Sequence, residues 1–146
     1  RRRSSSALGN LQEHTGGTAA SPKPGLLNGK PLQGPEFVEF SLPAARMQQA
    51  QGEFEIRDNH QVTTLEGGTF EAASLAALRG QTAVQGSGGG YLSNEISYRS
   101  IRLANELGVT LPMGHIHTPR IQDQAPQDGV RIISQVRQML LLATTP

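Results

Sequence analysis

The sequence predicts an α/β protein with a mostly parallel sheet. Strand-like and helix-like segments alternate across residues 82–143, an order typical of parallel strands joined by helices. A glycine-rich turn at 86–90 separates a short apolar strand from a long amphipathic helix. The chain has 146 residues, which is enough for one domain around one core.

Two segments of different composition divide the chain. Residues 1–35 are rich in Gly, Pro and Ser and contain few apolar side chains, which predicts a poorly ordered segment. Residues 36–146 carry the apolar patterns of the predicted domain. The first residue is Arg1 rather than Met, so we expect a fragment or a processed chain.

Composition and charge exclude several classes of protein. The net charge of +1 argues against a general polyanion binder, so no nucleic-acid partner is expected. The absence of cysteine excludes disulfides, thiolate zinc sites and iron–sulfur clusters. No apolar run approaches the length of a membrane span and no signal peptide is evident, so no membrane partner is expected.

The elements of the first half follow from alternation and from turn residues. Residues 36–40 alternate and predict a short strand, after which Ser41 and Pro43 predict the start of a helix that ends at Gly52. The remaining elements are a hairpin of 53–57 and 61–65, a helix from 69 to 78 ended by Gly80, and a buried strand at 82–84.

The second half contains two longer helices. The first is predicted from Tyr91 to Gly108, and its inward stripe is Leu92, Ile96, Leu103 and Leu107 with Ile101 and Ala104 alongside. Residues 111–116 predict the next strand, which Pro119 prevents from continuing. The last helix is predicted at 129–143, with Val130, Ile133, Val136, Met139 and Leu140 facing inward.

The glycine turn and the helix after it favour anion stabilisation. Backbone N–H groups at a helix start are unpaired, so a phosphate or an oxyanion can bind there. The P-loop, dinucleotide and lipase-elbow patterns are absent at this turn, because no lysine follows the glycines and Ser93 lies between Leu92 and Asn94. Acyl transfer fits better, with Ser93 in the first helical turn and His117 at the end of a later strand.

Each of these residues also has a purely structural interpretation. Ser93 is equally suited to capping the helix, and His117 to a hydrogen bond at a strand end. His115 and His117 project to the same side of a strand, which is a spacing that can bind a metal. Zinc needs at least one more ligand, for which Asp123 and Asp128 are the available carboxylates, and no metal or cofactor is predicted.

Two motifs resemble pyroglutamyl peptidase I, a family of cytosolic cysteine peptidases. The family signature T-A-G-x-Y-L-C-N-x-x-x-Y is similar to the segment 87–94 together with Tyr98. The family motif G-F-I-H-V-P is similar to Gly114-His115-Ile116-His117-Thr118-Pro119. A third similarity is weaker and joins the family's F-S-T-L-P to residues 40–43.

The resemblance implies a fold, an activity and a set of site residues. It implies a three-layer αβα domain, incomplete on its N-terminal side, that removes N-terminal pyroglutamate from peptides in the cytoplasm. The catalytic residues implied are Ser93 and His117, with the backbone of Gly89 and Gly90 holding the oxyanion. It implies a pyroglutamyl peptide as substrate, no cofactor and a possible homo-oligomer.

This sequence departs from the family at the nucleophile and at the orienting acid. Ser93 stands where the family has cysteine, and a hydroxyl needs a well-oriented His–acid pair to lose its proton. The family glutamate has no counterpart, because Ser5 occupies its position. The alternative to a hydrolase is therefore a catalytically inactive homologue that binds a peptide or a partner chain at the same site.

Overall fold

The computed structural model describes residues 2–6, 8–10, 18–23, 26–27, 29–31, 33–89, 92–120 and 125–145. Within these ranges the side chains of residues 2–10, 27, 31 and 93 are not described. The strands are β1 (Arg2–Ser6), β2 (Leu8–Asn10), β3 (Leu26–Leu27), β4 (Lys30–Pro31), β5 (Phe37–Glu39), β6 (Glu55–Asn59), β7 (Gln61–Thr64), β8 (Gly68–Glu71), β9 (Ala83–Gln85) and β10 (His115–His117). The helices are α1 (Ala44–Met47), α2 (Leu92–Leu107) and α3 (Pro126–Thr144), with a 3-10 helix at Leu75–Leu78.

The described strands form small, separate sheets. One sheet has the order β10–β1–β6, a second has the order β8–β7–β9, and the strands β2–β5 and β3–β4 form two pairs. Only β1 and β6 run parallel, and every other pairing of these strands is antiparallel. In the described part of the chain, no helix is both long and apolar enough to cross a membrane.

The prediction of a mostly parallel, three-layer αβα sheet is therefore wrong. The alternation of strands and helices across 82–143 suggested that β9 and β10 are parallel neighbours. They belong to different sheets, because β9 pairs with β7 and β10 pairs with β1. Antiparallel pairing needs only a short turn, whereas a parallel pair needs a long crossover, and the turn between β7 and β8 is short.

The segment 53–80 contains the two strands predicted there, but they do not pair with each other as predicted. The predicted hairpin strands exist as β6 and β7, but β6 pairs with β1 while β7 pairs with β8 and β9. The predicted helix at 69–78 is wrong in its first half, where β8 lies, and only Leu75–Leu78 is helical. Strand β1 comes from the segment predicted to be poorly ordered, and it is central in its sheet. The boundary predicted between residues 35 and 36 stays a prediction.

Strand β5 connects two of the three clusters that form the core. The predicted alternation is confirmed, because Phe37 packs with the β8–β7–β9 sheet while Val38 and Phe40 pack against α2. The first cluster is Phe37, Val62, Ala72, Leu78 and Ala83, and the second is Val38, Phe40, Tyr98 and Ile101. The third joins α1 to α3 through Met47, Ala50, Met139 and Ala143.

The bounds of α2 agree with the prediction, but its buried face does not. Gly108 ends the helix with a φ of 68°, a left-handed conformation that favours glycine. The buried residues are Asn94, Tyr98, Ile101 and Ala104. The predicted inward stripe is exposed, at 69% for Leu92, 54% for Ile96, 54% for Leu103 and 69% for Leu107. Hydropathy alone selected the wrong stripe, because the buried face includes polar residues such as Tyr98, whose hydroxyl is hydrogen-bonded rather than left in contact with water.

The predicted strand at 111–116 and the last helix are also shifted from their expected positions. The strand is only β10, which begins at His115, while α3 extends beyond both predicted ends. Met139 is buried as predicted and Val136 is partly buried, whereas Val130, Ile133 and Leu140 are exposed. The buried Gln135 side chain donates to the carbonyl of Phe54 and accepts from its N–H, which fixes α3 against the chain just before β6.

Candidate functional site

The glycine segment forms a tight turn before α2. The N–H of Gly89 donates to the carbonyl of Gly86 over 2.9 Å, and Gly89 has a φ of 89° that favours glycine. This hydrogen bond occupies the Gly89 N–H in the structure, so an oxyanion has to compete with it. Gly90 lies outside the described residues, and the oxyanion role of both glycines stays a prediction. Ser93 is the second residue of α2, so its backbone lies in the first helical turn.

The polar residues that follow Ser93 in the motif hold the helix in place. Asn94 is 0% exposed and Tyr98 is 1% exposed, and they lie four residues apart on one face of α2. The Tyr98 hydroxyl donates a short hydrogen bond to the carbonyl of Pro35. Burial raises the pKa of Tyr98, an effect that the nearby Arg102 opposes. These two residues therefore fix the direction of the helix that carries Ser93.

Strand β10 places two histidines on the same face of its sheet. The ring centroids of His115 and His117 are 5.9 Å apart and the ring planes meet at 87°. His115 is partly buried, and its Nδ1 atom is buried without a hydrogen-bond partner. Burial lowers the pKa of His115, and the nearby charge of His117 lowers it further. The His117 ring is exposed, which suits a group that exchanges protons with a substrate.

The sheet register connects the histidine strand to the glycine turn. His115 is paired with Ser6 of β1, and Ser6 is paired with Asn59 of β6, so these three residues form one row across the sheet. The Asn59 side chain donates to the carbonyl of Ser87 over 2.7 Å. The Ser87 hydroxyl is buried without a hydrogen-bond partner, like Nδ1 of His115. His115 and the turn next to Asn59 therefore each hold a buried polar atom that a ligand or a water molecule could satisfy.

Strand β10 returns alongside the helix that precedes it. After α2 ends at Leu107, residues 112–114 and Ile116 line one groove of about 480 Å³ with Ile96, Ser97, Ser100 and Ile101 of the helix. Residues 112–114 and Ile116 therefore lie beside the middle of α2.

A carboxylate that could orient His117 is not found among the described side chains. The described His–carboxylate contact lies elsewhere, between Nε2 of His60 and Oδ2 of Asp58 at 3.0 Å. Asp58 is paired through Ser5 with Ile116, so it belongs to the other face of the sheet from His117. No group of three or more histidine, aspartate or glutamate side chains suited to a metal occurs in the described ranges. Asp123, one of the two carboxylates considered as a third ligand, lies outside them.

The sequence found two backbone positions of this site and missed the contacts that connect them. Ser93 and His117 were selected by motif, and they lie on α2 and β10, two elements that contact each other. Asn59 and Ser87 were not selected, since their contact depends on the long-range pairing of β7 with β9. In the sequence, Ser87 is marked only by its place in the glycine-rich turn. Asn59 is marked only by its neighbour Asp58, a residue type that is common in turns.

Comparisons with known proteins add one similarity. A protein-family model described as PA0049, C-terminal domain, matches residues 54–122. That range covers β6 to β10 and includes Asn59, Ser87, Ser93 and both histidines of β10. No curated protein matches the chain, and no solved structure matches it. The chain is therefore similar to this domain family over less than half of its length, in the part that holds the candidate site.

Proposed function

We propose that this chain is a pyroglutamyl-peptidase-like hydrolase that removes N-terminal pyroglutamate from peptides in the cytoplasm. Ser93 is its nucleophile and His117 is its general base and acid. One observation carries the proposal: the chain from residue 112 to Ile116 lies beside α2, so the elements that carry Ser93 and His117 are neighbours. The resemblance of residues 87–98 and 114–119 to the two active-site motifs supports it.

The chemistry is an acyl transfer through a serine ester. The Ser93 oxygen attacks the pyroglutamyl carbonyl carbon while its proton passes to His117. The oxyanion that forms is stabilised by free N–H groups at the start of α2. His117 returns the proton to the departing amine, and water then cleaves the ester by the same steps, releasing pyroglutamate and restoring the Ser93 hydroxyl.

We expect a low activity because of the type of nucleophile and the surroundings of its base. A serine hydroxyl needs a strong, oriented base, whereas a cysteine thiol beside a helix start ionises readily. The His117 ring has no carboxylate partner among the described side chains. Loss of the orienting acid from a serine triad lowers kcat by roughly 10⁴-fold in a known case. The Ser93→Cys variant should therefore exceed the parent protein in rate.

The test measures release of a fluorophore from a pyroglutamyl amide. We expect slow turnover by the parent chain, none by Ser93→Ala or His117→Ala, and at least about 10-fold faster turnover by Ser93→Cys. His60→Ala is the matched control, because His60 contacts Asp58 on the opposite face and its loss should leave the rate unchanged. Turnover that survives Ser93→Ala, or its absence from both the parent and Ser93→Cys, contradicts the hydrolase.

The second candidate is a homologue that binds a peptide without cleaving it. It is favoured by the lack of a carboxylate at His117 among the described side chains, and by the unpaired Ser87 hydroxyl and His115 Nδ1, which offer polar contacts to a ligand. Calorimetry with a pyroglutamyl peptide, and with the same peptide beginning with proline, tests it. Selective binding of the pyroglutamyl form without turnover supports this candidate, while equal or undetectable binding contradicts it.

A further inference from the structure

A groove of about 720 Å³ lies between the start of β5 and the chain that joins the 3-10 helix to β9. It is lined by residues 35–37 and by most of residues 75–82. None of the described residues that line it belongs to α2 or β10, so it is separate from the candidate site. Small-molecule sites are clefts of about 300–1,000 Å³. The groove therefore has the size of a site for a small organic ligand.

The inner wall of the groove is apolar and belongs to the core. Phe37 and Leu78 line the groove, are 3% and 4% exposed, and are members of the first core cluster. Leu75 also lines the groove and packs against that cluster while remaining partly exposed. An apolar group placed against these side chains is removed from water. The wall therefore favours a ligand with an apolar side chain.

Hydrogen bonds hold the outer part of the groove in place. The Ser74 hydroxyl accepts from the N–H of Ala77 over 3.3 Å and caps the 3-10 helix. The N–H of Gln81 donates to the carbonyl of Leu78 over 3.1 Å, and the Gln81 side chain accepts from the Thr64 hydroxyl. A groove that is already ordered loses little conformational freedom when a ligand binds.

Two carboxylates mark an acidic end of the groove, where β9 begins. Glu36 lines the groove, and its Oε2 atom accepts from the N–H of Ala83 over 3.0 Å. Glu66 accepts from the N–H and the hydroxyl of the adjacent Thr82, with one oxygen for each. Among the described residues, Glu66 therefore uses both oxygens and Glu36 only one. The second oxygen of Glu36 can accept from the ammonium group of a ligand.

Arg79 marks a basic end of the same groove. It follows the 3-10 helix and is exposed. Arg99 and Arg102 are each paired with a glutamate, whereas Arg79 has no ion pair with a described side chain. Its planar guanidinium can bind a carboxylate through two hydrogen bonds. Because Arg79 precedes Thr82 by three residues, the backbones of the two ends are at most about 11 Å apart.

We propose that this groove binds a small zwitterion with an apolar side chain, which is a free apolar amino acid or a short apolar peptide. The carboxylate of the ligand binds Arg79, its ammonium group binds Glu36, and its side chain packs against Phe37 and Leu78. A ligand with a single charge is attracted at one end and repelled at the other, so charge complementarity selects a zwitterion. The inference does not rest on the proposed hydrolase activity, because the groove is separate from Ser93 and His117.

Calorimetry on the full chain tests the class of ligand. The probes are leucine and leucyl-leucine, and glycyl-glycine is the control without apolar side chains. We expect at least one leucine probe to bind, and glycyl-glycine to bind at least about 10-fold more weakly. Leucine that binds as tightly as leucyl-leucine indicates an amino-acid site, and tighter binding of the dipeptide indicates a peptide site. Undetectable binding of both leucine probes, or equal binding of glycyl-glycine, overturns the inference.

Probes that lack one charge test the two ends of the groove. The tighter leucine probe is compared with its N-acetyl form, which lacks the ammonium group, and with its amide, which lacks the carboxylate. Each should bind the parent chain at least about 10-fold more weakly. Arg79→Gln should remove the preference for the free carboxylate, and Glu36→Gln the preference for the free ammonium group.

Arg99→Gln is the matched control, because it removes an arginine that lies outside the groove and should keep both preferences. Circular dichroism checks that each variant is folded, and the comparison of probes on the parent chain needs no variant. A parent chain that binds the charge-deleted probes as tightly as the zwitterion overturns the inference. So does a folded Arg79→Gln variant that still prefers the free carboxylate.

Discussion

The two three-stranded sheets differ in whether their buried polar side chains have hydrogen-bond partners. In the β8–β7–β9 sheet the hydroxyls of Thr63 and Thr69 are 2.8 Å apart, and the Thr64 hydroxyl donates to Gln81 over 2.8 Å. Glu66 accepts from both the N–H and the hydroxyl of Thr82, and these hydrogen bonds lower the pKa of Glu66. The hydrogen bonds of these polar groups therefore stabilise this sheet.

The site face of the β10–β1–β6 sheet is different. It contains His115, whose Nδ1 atom is buried without a hydrogen-bond partner. It adjoins Ser87, whose hydroxyl is also buried without a hydrogen-bond partner. Buried polar groups without partners are costly, and they are uncommon outside sites that receive a ligand or a bound water. The difference shows that the first sheet supports the domain, while the second retains bonding capacity where the predicted site residues lie.

The largest effect that tests this comparison is expected at Thr64. This residue is 1% exposed, donates to Gln81 and accepts from the N–H of Gly67, so Thr64→Val removes both hydrogen bonds while keeping the side-chain shape. We expect a loss of about 2 kcal/mol in the free energy of unfolding, because two hydrogen bonds of a buried hydroxyl are lost. Urea denaturation measures this change.

Thr82→Val is the matched control for Thr64→Val. It removes a hydroxyl from the same sheet, but its hydrogen bond to Glu66 is exposed to solvent, so the expected loss is below about 1 kcal/mol. Equal losses from the two variants would show that the buried threonine network is not what stabilises this sheet.

An intermediate effect is expected from the pH dependence of stability at His115. Because burial lowers the pKa of His115 from 6.5, the folded protein binds fewer protons there than the unfolded chain does. The contribution of His115 to stability is therefore complete above pH 6.5 and is lost as the pH falls from there through the lowered pKa. Urea midpoints measured across this window should fall more for the parent chain than for His115→Gln.

The comparison with His117→Gln identifies the cause of this pH dependence. Burial is the main reason for the lowered pKa of His115, and the charge of His117 is the smaller one. His117→Gln should therefore retain most of the pH dependence, while His115→Gln should lose it. A parent chain whose stability does not change across this window would remove the evidence that His115 is held neutral.

The sequence predicted β5 and the bounds of α2, but not the long-range pairing of the strands. The short apolar segment at 36–40 was sufficient to predict β5, although its burial does not alternate because Phe37 and Val38 are both buried on opposite faces. The bounds of α2 followed from the glycines at either end. The partners of β6 and β7 could not be read locally, since β1, which lies some fifty residues before β6, takes the place that the hairpin was expected to fill.

The same distinction applies to the candidate site. The motif selects Ser93 and His117 because their residue types and spacing are visible in the chain. The link between Asn59 and Ser87 depends on the pairing of β7 with β9, and the buried face of α2 includes the Tyr98 hydroxyl, whose hydrogen bond hydropathy does not represent. Long-range register and buried polar pairing are therefore what the structure adds.

The smallest change in stability is expected from a substitution at Ser87, and a change near zero is the result that tests the comparison. The Ser87 hydroxyl is buried without a hydrogen-bond partner, so Ser87→Ala removes an unsatisfied group and should change the free energy of unfolding by less than about 0.5 kcal/mol. Asn59→Ala, which removes the donor to the Ser87 carbonyl, should cost about 1 kcal/mol in the same urea measurement. If Ser87→Ala instead costs as much as Thr64→Val, the hydroxyl has a partner in solution and the contrast between the two sheets disappears. A near-zero change leaves the Ser87 hydroxyl as a group whose bonding capacity is available to a ligand.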